Sequence, residues 1–168
     1  MKNKKSFINR IYREKDIKKI DAKINQFGVS KKFTTEYFMN FRLFTSMIVF
    51  VVLFIFADFG ALIAPVATVL WYILVGYFMI DKPLKKRERK LDNEAYYYFE
   101  VLTLALESGR NLENAIKMAC KYIDSEISSE FKETIKQVNF GKSLTESLSV
   151  MSARIPSLTI NNIILNME

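Results

Sequence analysis

The sequence contains no histidine and only one cysteine, Cys120, in 168 residues. The missing histidines remove His-based triads, most zinc enzymes and histidine phosphorelay chemistry together. A lone cysteine excludes an internal disulfide and a multi-cysteine zinc site. Glycine is scarce, with five residues, and nowhere reaches the density of a phosphate-binding loop. Between residues 85 and 168 no run alternates apolar and polar residues, so strands are not expected there. Asp58, Asp81 and Asp92 are the acids nearest the apolar block, and they are not arranged as a catalytic pair. The sequence thus indicates no catalytic, cofactor-binding or metal-binding residues, and no cofactor; it does not read as an enzyme.

What is present is a segregation of charge. Residues 1–90 hold 18 Lys and Arg against 7 Asp and Glu, a net of +11. Residues 91–168 hold 7 against 11, a net of −4. A uniformly basic nucleic-acid binder would not divide its charge this way, so no nucleic acid is expected as a partner. Basic flanks around an apolar block fit a protein held against an anionic membrane leaflet.

That block runs from Leu43 to Ile80 with Asp58 as its only charge. It is too long for one span, which needs about 20 residues. Asp and Gly in "ADFG" offer a turn, so the pattern predicts two helices, about Phe38–Ala57 and Ala61–Ile80. Pro65 is expected near the start of the second, where a missing amide is tolerated. Arg42 can reach the headgroups from inside the first span. Twelve basic residues precede the hairpin and six more lie in "DKPLKKRERK" after it. Both ends are therefore expected to be cytoplasmic, with Asp58 outside. The competing reading is a hairpin buried in a soluble core. "DFG" is read as a turn and not as a kinase motif, since no Gly-rich or catalytic loop accompanies it.

The chain divides into a basic amphipathic region (1–37), a transmembrane helical hairpin (38–80) and a cytoplasmic helical bundle (81–168). In the first, Ile8, Ile11, Tyr12, Ile20, Ile24 and Phe27 keep mostly helical spacing over residues 5–27, and Gly28 reads as a stop. Such a helix lies on the membrane surface or docks on the protein's own helical domain.

In the last region the chain repeats itself. "ESGRNLENAI" (107–116) and "NFGKSLTESL" (139–148) share one pattern. Gly109 and Gly141 follow amphipathic helices, where a left-handed cap favours glycine. Asn111 and Ser143 stand at N-cap positions, and Ser143 with Glu146 spells a capping box. Leu112 and Leu144 then enter the core, while Ala115 and Ser147 allow close packing. Each copy is a helical corner, structural in purpose, and the whole is all-α. Glu113, Asp124, Glu126, Glu130 and Glu133 are expected to be mostly solvated, and as a set to offer a partner surface. Ile160, Ile163, Ile164 and Met167 form a terminal apolar stripe. It is expected either to face helices absent from this chain, driving association, or to fold back onto Leu144, Leu148 and Met151.

With these corners in view, the chain resembles the type II secretion F-domain family, and most nearly the tight-adherence (Tad/Flp) pilus platform proteins. "LTLALESGRNLENAI" (102–116), "FGKSLTESL" (140–148), "MSARIPS" (151–157) and "KINQFGVSKKFTTEYFMNFRLF" (23–44) carry the likeness. Arg110 departs from the apolar or small residue often found in the family. The family's domain normally continues to a C-terminal membrane segment, so the chain is expected to be a fragment, a split product or a degenerate copy. The resemblance implies a multi-pass platform in the cell membrane that couples a cytoplasmic ATPase to pilin assembly. The implied partners are the secretion or pilus ATPase, pilin subunits, the lipid bilayer, and a second platform protein or another copy of the chain. The alternative is a membrane-anchored helical adaptor or regulator unrelated to pili.

Overall fold

The structure, a computed structural model, describes residues 14–30, 34–56 and 60–167. All regular structure among them is helical, and the fold class is all-α. Eight α-helices are described: α1 (Glu14–Asn25), α2 (Thr35–Phe56), α3 (Gly60–Gly76), α4 (Lys82–Glu107), α5 (Leu112–Tyr122), α6 (Glu126–Asn139), α7 (Leu144–Ser152) and α8 (Leu158–Leu165). A 3-10 turn covers Gly28–Ser30, and a π-helical turn covers Tyr77–Asp81. Ile8, Ile11, Tyr12 and Asp58 lie outside the described residues, as does most of the "ADFG" turn.

The chain forms two compact units. One contains α2, α3 and α1 as far as Ile24, and ends at Pro83. The other takes Asn25–Ser30 and Leu84–Glu168.

In the first unit α2 and α3 pack against each other. Two helical stretches, Thr35–Ile55 and Ile63–Glu107, are long and apolar enough to cross a membrane. Their most apolar windows are only 17% buried, unlike the core helices of a soluble fold. Phe44, Met47 and Ile55 on α2 and Val66, Val69 and Ile73 on α3 all point outward. Pro65 lies near the start of α3, as expected, but a full turn in, so it removes one intrahelical hydrogen bond. The second helix was expected to run regularly to Ile80. Instead the ladder widens at Tyr77, whose carbonyl accepts the Lys82 amide five residues on. Pro83 explains this. It has no N–H for the carbonyl of Met79, and its ring would strike that carbonyl in a regular α-turn.

In the second unit one core gathers side chains from α4 to α8, among them Leu91, Leu102, Ile116, Ile127, Leu148 and Ile160. Tyr98 stacks on Phe131 at 4.6 Å, and Phe99 meets the same ring edge-on at 6.2 Å. Aromatic pairs in these arrangements stabilise by about 0.5–1.5 kcal/mol beyond the area they bury. Four helices begin on side-chain caps: Asn111 accepts from Asn114, Ser125 from Ser128, Ser143 from Glu146, and Ser157 from Ile160. Most of the terminal apolar stripe is covered within the chain, with Ile160 and Ile164 fully buried and Met167 packed on the core, while Ile163 stays partly exposed.

Both corner glycines are left-handed, Gly109 at φ 81° and Gly141 at φ 97°. They end their helices differently. At Gly141 the glycine amide bonds Val138 O and the Lys142 amide bonds Gln137 O, the paired closure of a Schellman turn. At Gly109 the glycine amide bonds Leu106 O, and the Ser108 hydroxyl takes the carbonyl of Ala105. After each glycine the buried small residue, Ala115 or Ser147, sits at 0% exposure, with Leu112 and Leu144 partly buried beside the core.

Candidate functional site

The polar centre of the second unit is an ionic node that joins three helices and the Asn25–Ser30 segment. Arg87 is on α4, Glu126 and Glu130 are on α6, and Arg154 follows α7. Arg87 Nη2 donates to Glu130 Oε1 at 2.8 Å, and Arg154 Nε donates to Glu130 Oε2 at 2.9 Å. The Val29 amide gives Oε1 a further hydrogen bond at 2.9 Å. Arg87 Nε reaches Glu126 Oε1 at 2.6 Å, and its Nη1 bonds the carbonyls of Arg154, at 2.7 Å, and of Gln26. Glu130 is 1% exposed and Arg87 8%. Charges so buried persist only when paired and hydrogen-bonded, and here both Glu130 oxygens and the Arg87 fork are engaged.

Helical periodicity puts these charges inside. Leu84, Arg87 and Leu91 share one face of α4; Ile127, Glu130 and Phe131 share one face of α6. Gly28 makes the close approach of the Asn25–Ser30 segment possible. Its φ is 67°, and a Cβ there would fall onto Glu130 Oε1 and the Arg87 guanidinium. Only glycine meets both conditions.

A second set of charges surrounds the start of α6. The Glu94 carboxylate accepts the amides of Glu126 at 2.8 Å and Ile127 at 3.2 Å, where the helix dipole favours an anion. Lys90 lies 3.1 Å from Glu126 and 3.6 Å from Glu94. Burial pushes the Glu126 carboxyl up, but hydrogen bonds and charge from Arg87 and Lys90 outweigh it and hold the group below the usual carboxylate range. The Lys90 ammonium is raised, chiefly by its hydrogen bond to Glu126.

The five acids expected on one solvated surface separate into two kinds. Asp124 is fully exposed; Glu113 and Glu133 are partly so, each near a lysine of its own helix. Glu126 is mostly covered, and Glu130 is enclosed between two arginines. Glu130 is therefore not available to a partner, because its charge is spent holding the unit together.

Among the described residues no group of three His, Cys, Asp or Glu is placed to hold a metal ion. Cys120 is buried, 3.3 Å from the Tyr98 hydroxyl; burial, then Cys120, raises that phenol's pKa. In the first unit the Arg42 guanidinium lies 3.3 Å from the centre of the Tyr72 ring. The sequence gives no sign of this cation–π contact, which α2–α3 packing creates.

A groove of about 730 Å³ opens in the second unit between α4 and α8. Ala95, Phe99, Ile160 and Ile163 supply its apolar floor, and Asp92, Glu100 and Glu107 stand along it. No family model, curated protein or solved structure matches the chain.

Proposed function

We propose that the chain is a membrane platform subunit of a type II secretion or tight-adherence pilus machine. In this reading α2 and α3 form a transmembrane hairpin in the cell membrane, and the second unit is an F-domain-like antiparallel bundle in the cytoplasm. Both ends of the chain are cytoplasmic. The platform transmits the work of a cytoplasmic ATPase to pilin subunits and contributes shape and contact surfaces, while the ATPase supplies the chemistry.

The observation that carries the reading is the pair of left-handed glycine corners, Gly109 and Gly141, each followed by an N-cap and a buried small residue. That arrangement, placed after two outward-apolar helices, is what the resemblance to the family leads one to expect. Basic residues before α2 and after α3 support the orientation.

Deleting the gene in its native cell tests the proposal. Loss of surface pili or of a secreted protein set, restored by the intact chain, is the expected result, together with cross-linking of the chain to a secretion ATPase. Normal pili and secretion in the deletion, with no ATPase cross-link, would replace the platform with a membrane-anchored adaptor.

A further inference from the structure

We infer that the groove between α4 and α8 is a docking site for a basic amphipathic helix of a partner protein. The inference rests on the groove's own chemistry and not on the proposed function. Its lining contains three acids and no lysine or arginine. Asp92, Glu100 and Glu107 are exposed, and none has an ion pair among the described residues. That condition is unusual in this unit. Glu94, Glu113, Asp124, Glu126, Glu130, Glu133 and Glu146 all lie within 4.0 Å of a Lys or Arg nitrogen; among the described residues of the unit outside the groove, only Glu88 does not. The unit pairs its acids nearly everywhere except along this groove.

The apolar groups complete the match. Tyr96 is 70% exposed and Leu104 60%, both on the groove's rim, above a floor that includes Phe99 and Ile163. A contiguous exposed apolar strip edged by charge marks an interaction surface. From Asp92 to Glu107 is 15 residues of helix, about 22 Å at 1.5 Å per residue. A partner helix of about four turns covers that distance. Its apolar face fills the channel, as in other helix-in-groove complexes. Its lysines or arginines, about seven to eight residues apart, meet the three carboxylates, whose separations along α4 are 8 and 7 residues. Charge complementarity of this kind selects the partner and speeds encounter.

Site-specific photocross-linking from a benzophenone amino acid at Tyr96, in the full chain, tests the inference. In discs of zwitterionic lipid the probe is a 16-residue Leu/Lys helix with lysines at that spacing; its counterpart carries Glu in place of Lys. The Lys helix should be captured, and raising salt from low to high concentration should reduce capture at least ten-fold, roughly the expected effect of screening several exposed pairs. Asp92→Lys/Glu100→Lys/Glu107→Lys should do the same. Thr103→Trp, which fills the channel without altering charge, should also block capture, and both variants should keep the parent's thermal unfolding curve. In native membranes the captured segment should belong to another protein and carry the same basic amphipathic pattern. Equal capture of the Lys and Glu helices, indifference to the charge-reversal variant, or native capture only of lipid or of a second copy of this chain would overturn the inference.

Discussion

Arg154 donates to Glu130 Oε2 at 2.9 Å, on the side of the carboxylate opposite the Arg87 contact. One glutamate thus holds two arginines from different parts of the chain, at 1% exposure. Removing one partner from such a buried pair leaves a charge without compensation, which typically costs about 3–5 kcal/mol.

Glu130→Gln is therefore expected to destabilise the helical unit by about 3–5 kcal/mol. Hydrogen exchange of the α6 amides in neutral detergent measures it. Glu130→Leu/Arg154→Met should cost at least 1 kcal/mol less than the sum of its single variants, because contacting charges do not act additively. Additive losses would mean that the two groups are not energetically coupled.

The three left-handed glycines separate strain from collision. At Gly109 and Gly141 a Cβ would meet nothing within 4 Å, so alanine at either corner adds backbone strain without a Cβ collision, and Gly109→Val or Gly141→Val should cost about 1–3 kcal/mol. Asn at either position should recover much of that, since it tolerates the conformation. Gly28→Ala adds a collision with Glu130 and Arg87 and should cost more than alanine at either corner. Denaturant titrations of the three alanine variants give the ranking directly.

Acid should weaken the node through Glu126. Its folded-state pKa is depressed, so its contribution is complete above the unfolded carboxylate value, about 4.3, and is lost as pH falls through the folded value. Unfolding curves between pH 6 and pH 3 should show a shallower loss for Glu126→Gln than for the parent chain. Parallel slopes would place the acid sensitivity elsewhere.

The membrane reading is open to a labelling experiment. A cysteine introduced at position 58, outside the described residues, should react with an impermeant thiol reagent in intact cells. A cysteine at position 167 should not. Cys120 gives little background, being 8% exposed. The reverse pattern of labelling would invert the topology.

The helical corners were legible because they are local. A glycine at the helix end and a capping Asn or Ser two residues later specify backbone angles without reference to distant residues. The node was not legible in the same way. Arg87 stands in "KKRERK", a run that reads as a solvated flank, and Glu130 was grouped with the neighbouring surface acids. The spacing did contain a signal, since Arg87 falls on the face of Leu84 and Leu91, and Glu130 falls beside Ile127. What spacing could not supply was the partner, because Arg87 and Glu130 are 43 residues apart in sequence. The α4–α8 groove depends similarly on how α8 seats Ile160 and Ile163 beside Phe99, a tertiary matter that no single helix encodes.

The assignment of Asn25–Ser30 to the second unit has a practical consequence for cutting the protein apart. A fragment begun at Leu84 keeps every helix of that unit and still loses the Val29 amide from Glu130 and the Gln26 carbonyl from Arg87. Two buried ions would each be one hydrogen bond short. A soluble version is better built as a graft, with residues 25–30 joined by a flexible tether ahead of residue 84, so that the apolar helices are left out and the short peptide is retained.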